Sequence, residues 1–309
     1  MSEPWAAILA GGDGRRLKGL TRSMAGDARP KQFCQFFGGK TLLGDTRDRV
    51  GLSVSALQTL FVVTRAHQPY YRDELADVPA AQVIEQPANR GTTAAVAATL
   101  FWLRDQVDAR VGFFPADHYY RDTGVLRETL ATAFELADAN PDRVIALGAK
   151  ATRAETEYGW IEPGDGPPGE VATGRAAVLR TVRGFWEKPS YDVASNLWAR
   201  GCLWNTLVVV GRVSAFETLL AQTVPDVWHE FVIRSPGTNL QEHQSALRQA
   251  YASVRPSDFS HEVLAAAPDR LSVIALPDTG WTDLGQPHRV LDVLADRDEV
   301  LKTESHRAG

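Results

Sequence analysis

Residues 8–17, ILAGGDGRRL, constrain the fold more than any other stretch of this chain. A continuous apolar run leads straight into a glycine-rich turn, as a strand buried on both faces does when it meets a ligand crevice. Gly11, Gly12 and Gly14 carry no side chain, so the backbone at the turn can approach a phosphate closely. Arg15 and Arg16 add fixed charge, and RPKQF (29–33) brings Lys31 behind a proline. A bare backbone cradle with three cations at the end of a first strand predicts a site for a nucleoside triphosphate.

Around this start, continuous apolar runs alternate with helical patterns. WAAILA (5–10), LFVVT (60–64), VGFFPAD (111–117) and RVIALG (143–148) read as buried strands, and 91–105 and 124–140 as helices. The order predicts an α/β fold: a Rossmann-like, three-layer α/β/α arrangement on a mostly parallel, mixed central sheet. Asp117, like the glycine turn, falls just past a strand, so both can face one crevice. EYGWIEP (157–163) and 176–189 read as extended pieces flanking the loop GDGPPGE (164–170). LWNTLVVVG (203–211) and LSVIAL (271–276) read as strands, and 213–270 as largely helical. The expectation is one domain over 1–296, with a nucleotide part at about 1–150, a sugar part at about 151–296, and a frayed polar tail at 297–309.

With 309 residues and a net charge of −5, the chain is no basic nucleic-acid binder, so the cluster Arg15, Arg16, Arg22, Arg29 and Lys31 stands out. Two isolated cysteines, Cys34 and Cys202, predict a reducing, cytoplasmic setting without structural zinc. No apolar run is long enough to span a membrane. Two partial matches are set aside. Gly12-x-Gly14 has Leu17 where a dinucleotide fingerprint needs its third glycine, and GGKT (38–41) has Cys34 where a P-loop needs its first. GGKT reads instead as a turn opening a helix.

ILAGGDGRRL with RPKQF resembles the signature of sugar-1-phosphate nucleotidylyltransferases, and RPKQF resembles the mannose-1-phosphate guanylyltransferase (GDP-mannose pyrophosphorylase) branch. QPANRGTTAA (86–95), FFPADHY (113–119), EYGWIEPG (157–164), FWEKP (185–189), LWN (203–205) and GWTDLG (280–285) resemble further family segments, in order, from residue 5 to about 295. The reaction this implies is attack by a sugar-1-phosphate oxygen on the α-phosphorus of a nucleoside triphosphate, giving a nucleotide-sugar and pyrophosphate. Two polyanions must be aligned and their growing charge neutralised.

The resemblance implies the following roles. Arg16 and Lys31 act on the triphosphate and leaving pyrophosphate. Leu9, Gly11, Gly12, Gly14, Arg15, Gln86, Arg90, Gly91 and Thr92 line the nucleotide, with Arg15 either a phosphate contact or simply solvated, and Thr92 and Thr93 either lining the base or capping the helix that follows. Asp117 and Asp283 hold Mg²⁺, which takes one or two carboxylates alongside phosphate oxygens. Lys188 holds the sugar phosphate, while Gly159, Glu187 and Asn205 line and grip the sugar. His118 is left as structural, because the attacking oxygen is already ionised, and Trp160, Trp186 and Trp204 are read as core.

GTP and mannose-1-phosphate are the leading pair. Another nucleotide or sugar-1-phosphate, a non-catalytic sugar-nucleotide sensor on the same fold, and a glycosyltransferase are the alternatives. Lys18-Gly19 after Leu17, Gly91-Thr92-Thr93-Ala94 and Thr206-Leu207 depart from the family pattern and bear on base and sugar choice. No nucleic-acid or membrane partner is expected, and a homo-oligomer is left open.

Overall fold

The computed structural model describes residues 3–106, 108–164, 179–234 and 239–307. The strands are β1 (Trp5–Leu9), β2 (Thr59–Thr64), β3 (Val83–Gln86), β4 (Arg110–Pro115), β5 (Val144–Lys150), β6 (Gly159–Pro163), β7 (Leu179–Glu187), β8 (Leu203–Arg212) and β9 (Leu271–Leu276). The helices are α1 (Lys18–Ala25), α2 (Leu42–Gly51), α3 (Gln68–Tyr71), α4 (Thr92–Trp102), α5 (Thr123–Ala139), α6 (Tyr191–Ala199), α7 (Val213–Thr223), α8 (Pro225–Val232), α9 (Leu240–Ser253) and α10 (Pro287–Arg307).

One mixed sheet runs β3-β2-β1-β4-β8-β5-β9-β7-β6. Its β3-β2-β1-β4 side is wholly parallel. Beyond β4 only β5 and β9 pair in parallel, because β8 returns antiparallel between β4 and β5. β7 runs antiparallel to both β9 and β6, and β6 pairs back onto the start of β8 through Trp160 and Ile161.

The continuous apolar strands are continuous because both faces are covered. In β1, Ala7 packs into one core with β2, α4 and α7 residues, while Ala6 and Ile8 pack into another with α2 and α5 residues. α4 is buried over its whole length from Thr93 to Phe101, so its alanine-rich, all-round apolar sequence suits it to lie between sheet and helices. Trp160 and Trp204 are core, as expected, in a third cluster with Trp186 and Trp281 packed against it.

GGKT does open a helix: Thr41 N-caps α2, its Oγ1 accepting from Gly44 N at 3.0 Å. The polar tail continues a helix. α10 starts on Pro287, a residue suited to a first helical turn, and with no glycine or further proline to break it the backbone stays helical to Arg307. Most of the loop expected at 164–170 lies outside the described residues. Among the described residues no helix is long and apolar enough to cross a membrane.

Candidate active site

The parallel strands end in register, and their carboxyl ends supply the site. Leu9 lies opposite Pro115 on one side and Val62 on the other, and its carbonyl accepts from Ala116 N at 3.2 Å. The chain past β1 is thereby fixed beside Asp117. Gly11 packs against the ends of β2 and β3: a Cβ there would stand 2.4 Å from Gln86 Nε2 and 2.9 Å from Thr64 Oγ1. Gly12 faces open space. Gly14 is left-handed at φ +58°, and a Cβ would stand 2.9 Å from Lys31 N, so this glycine allows the turn and RPKQF to touch. Gln32 seals that contact, its Nε2 donating to Ala10 O at 2.9 Å and Gly12 O at 2.8 Å.

Lys31 is buried, and its ammonium donates to Asp283 O at 2.7 Å and Leu284 O at 3.2 Å while pairing with Asp117 Oδ2 at 3.2 Å. Residues 31, 117 and 283, far apart in sequence, thus share one centre. Asp283 Oδ1 accepts from Gly285 N at 2.7 Å and from Arg289 Nη1 at 2.5 Å. Burial alone would raise the Asp283 carboxyl, but Lys31, then Arg289 and His118, hold it below its usual value. His118 is buried and pushed down to about 4, chiefly by desolvation, so it is neutral at pH 7. Trp281 Nε1 donates to its Nδ1 at 3.2 Å, which assigns the proton to Nε2.

Farther along the sheet, residues of β6, β7 and β8 come together. A Cβ on Gly159 would stand 2.7 Å from Glu187 Oε2 and 3.2 Å from Asn205 Cβ, so the glycine leaves the floor open for these groups. The β5–β8 register shifts between Ala146 and Gly148. There Asn205 Oδ1 accepts from Leu207 N at 3.0 Å, with Leu207 at φ +58°. Lys188 is also left-handed, at φ +47°, and its ammonium pairs with Glu187 at 2.8 Å. Burial raises the Glu187 carboxyl in spite of that pair. Desolvation would lower the Lys188 ammonium, but Glu187 holds it above its usual value, against repulsion from nearby Arg16.

The remaining residues lie at or just past the ends of β1 and β3. Arg15 is 80% exposed and meets only Asp13, at 3.3 Å, among the described ion pairs. Gln86 is 2% exposed, and its Oε1 accepts from Tyr251 OH at 2.9 Å. Arg90 is half-buried, and its carbonyl accepts from Ser257 N at 3.0 Å. Gly91, at φ +86°, admits Ser257 O to within 2.2 Å of where a Cβ would stand. Thr92 and Thr93 do not cap α4. Thr92 Oγ1 accepts from Phe259 N at 2.8 Å, and Thr93 Oγ1 meets Ser257 Oγ at 2.9 Å. The segment at 90–93 is therefore clamped to 257–259, whose Asp258 in turn acts on Glu187 and Lys188.

Three contributors, Arg289, Glu157 and Gln32, were not singled out from the sequence. Arg289 is 3% exposed, joins Asp283 to Glu155 (Nη2 to Oε2, 3.0 Å) and lies 4.2 Å from the centroid of the Tyr158 ring. Glu157 pairs with Arg16 at 2.5 Å. A lone arginine on an amphipathic helix and a glutamate in a charged loop carry no local signal. The QF of RPKQF was a usable signal for Gln32.

Among the described residues, no three His, Cys, Asp or Glu side chains gather closely enough to hold a metal alone. Asp117 and Asp283 around Lys31 nevertheless suit an ion such as Mg²⁺, which takes one or two carboxylates and completes its shell from phosphates and water.

The family model described as nucleotidyl transferase matches residues 5–299. The xanthan biosynthesis protein XanB of Xanthomonas campestris pv. campestris is 29% identical over 304 residues, which is 95% of this chain and 60% of that protein. Mannose-1-phosphate guanylyltransferase ManC of Salmonella typhimurium is 27% identical over 303 residues, 96% of this chain and 60% of that protein. The chain thus spans about 60% of the length of these curated relatives. Among solved structures, the mannose-1-phosphate geranyltransferase from Thermus thermophilus is 31% identical with a TM-score of 0.75, covering 92% of this chain and 77% of that one. A UDP-glucose pyrophosphorylase complexed with UDP-glucose, 13% identical at a TM-score of 0.56 and covering 96% and 99%, shares the fold.

Proposed function

This chain belongs to the nucleotidyl transferase family, and on that premise we propose that it condenses a nucleoside triphosphate with a sugar-1-phosphate, releasing pyrophosphate and a nucleotide-sugar. GTP and mannose-1-phosphate are the pair we assign, supported by the names of the relatives. The observation that carries the reading is the convergence of Lys31, Asp117 and Asp283 beside a left-handed glycine turn, with Arg16 and Lys188 near enough to repel each other.

Such a site suits phosphoryl chemistry in which the protein forms no bond. The main obstacle is repulsion between two polyanions, which grows as bonding at the α-phosphorus changes. Arg16 and Lys31 neutralise the triphosphate and the leaving pyrophosphate. Lys188 fixes the sugar phosphate in line, and Glu187 and Asn205 orient the sugar by its hydroxyls. His118, neutral and held by Trp281, supports Asp117 without moving a proton. A divalent cation, magnesium in our assignment, would be held by Asp117 and Asp283; when bound it supplies further neutralisation of phosphate charge. Leu9, Gly11, Gly12, Gly14 and Arg15, with Gln86, Arg90, Gly91 and Thr92, form the nucleotide wall.

We read the architecture as three layers, helices over both faces of the sheet, with residues 1–150 serving the nucleotide and 151–296 the sugar. Buried, unpaired Cys34 and Cys202 support a cytoplasmic setting. The test is pyrophosphate release with magnesium across four nucleoside triphosphates and several sugar-1-phosphates. Release with GTP and mannose-1-phosphate alone supports the full assignment, and release with another pair overturns the substrates but keeps the reaction. Silence across the grid overturns the reaction.

A further inference from the structure

Each of the three phosphate-binding cations assigned above is paired with a carboxylate: Arg16 with Glu157 at 2.5 Å, Lys31 with Asp117 at 3.2 Å and Lys188 with Glu187 at 2.8 Å. Asp117 and Glu187 have ligand-binding work of their own. Glu157 has none, and its contact with Arg16 joins residues 141 positions apart.

Glu157 is also firmly mounted. Its N–H donates to Glu155 Oε1 at 3.0 Å, and the other oxygen of Glu155 is taken by Arg153 and Arg289. Trp160 Nε1 donates to Glu155 O at 2.8 Å, Lys188 N donates to Tyr158 O at 3.2 Å, and Tyr158 OH meets Thr282 Oγ1 at 3.2 Å. The backbone on either side of Glu157 is therefore pinned, so forming the pair orders little beyond one side chain. The two side chains remain 48% and 41% exposed, within reach of a solvent-borne anion.

Resting on the function proposed above, we propose that Glu157 is a stand-in for substrate phosphate. Its carboxylate holds the Arg16 guanidinium beside the glycine turn, and a triphosphate oxygen must displace it to take Arg16. Glu157 thereby sets a counter-ion threshold that weakens binding of every ligand reaching Arg16 and leaves shorter ones untouched. Glu157 is a positioning residue for Arg16 before substrate arrives and a competitor once it does.

The experiment measures equilibrium binding, with magnesium, of the nucleoside triphosphate selected by the substrate grid, its monophosphate and inorganic pyrophosphate. Wild type, Glu157→Gln and Glu157→Ala are compared. An exposed ion pair of ordinary strength predicts that both variants bind triphosphate and pyrophosphate about two- to five-fold more tightly. Monophosphate affinity should stay unchanged, and the gain should shrink at high salt. Unchanged or weaker triphosphate binding in both variants overturns the inference, as does an equal gain for the monophosphate. If wild type binds no nucleoside triphosphate, the proposed function fails instead, so the two failures are distinguishable.

Discussion

Arg289→Met tests the geometry at its least conspicuous point. The guanidinium is enclosed between Asp283 Oδ1 at 2.5 Å, Glu155 Oε2 at 3.0 Å and the Tyr158 ring at 4.2 Å. Methionine retains much of the volume, so the change is mainly one of charge. Removing one partner of a buried ion pair costs about 3–5 kcal/mol, because the other charge is left unmatched. Loss of the ring contact adds about 1 kcal/mol. Lys31 beside Asp283 and Arg153 on Glu155 remain, which keeps the sum near the lower end, about 3 kcal/mol. At about 1.5 °C per kcal/mol for a domain of this length, Tm should fall by about 5 °C at neutral pH.

The pH dependence has a definite sign. In the native protein Glu155 and Asp283 both titrate below their ordinary values of 4.5 and 3.8; burial opposes this, and is outweighed for Glu155 by the Glu157 N–H and the arginines. Depressed carboxyls contribute stability that is complete above those ordinary values and lost as pH falls through the folded ones. Without Arg289 one of the causes that oppose burial is gone, and both carboxyls move upward. The penalty is then full at neutral pH and is relieved as pH falls through their raised values and they protonate. Thermal unfolding followed by circular dichroism should show a Tm gap between wild type and variant that narrows as pH falls. A drop below about 2 °C at neutral pH, or a gap indifferent to pH, would refute the reasoning.

Further expectations concern separate parts of the site. Asp117→Asn should lower the rate of pyrophosphate release by about 10²-fold or more while nucleotide binding, read by calorimetry, stays within several-fold; undiminished turnover would remove Asp117 from the chemistry. Gly91→Ala should destabilise by about 2 kcal/mol or more, since it combines strain at φ +86° with a Cβ driven onto Ser257 O, and denaturant titration will measure it. With its folded value near 4, His118 should show no imidazole titration by NMR between pH 8 and about 5. Its stabilisation should be complete above the unfolded value of 6.5 and erode as pH falls toward 4. Burial raises the Cys34 thiol to about 11 and also raises Cys202, so neither should react with a thiol reagent near pH 8 until the protein unfolds.

Much of the fold was legible because local pattern encodes it. The unbroken apolar runs of β1, β2 and β4 could only be strands covered on both faces, and the alanine-rich apolar stretch of α4 could only be a helix enclosed on all sides. Gly14 was readable as part of a bare turn, but that its missing Cβ leaves room for Lys31 N needed two segments to be placed in space. Thr92 and Thr93 read as lining or capping residues, since a threonine before a helix usually serves locally. Here the segment at 257–259 offers buried partners that outcompete the cap.

The sequence by itself determined the local inventory: a glycine turn after a buried strand, three cations beside it, and an aspartate just past a later strand. These follow from spacing and composition within a few residues, where backbone preference and periodicity act, whereas 159, 187, 188, 205 and 283 were singled out only through the resemblance to a family. Only the tertiary structure decided which charge meets which. Lys31 meets the Asp283 carbonyl across 252 positions and Arg16 meets Glu157 across 141. Coulomb attraction depends on distance in space and on the surrounding dielectric, and both are fixed only when the chain past β1 and β4 and the β5–β6 and β9–α10 connections come together.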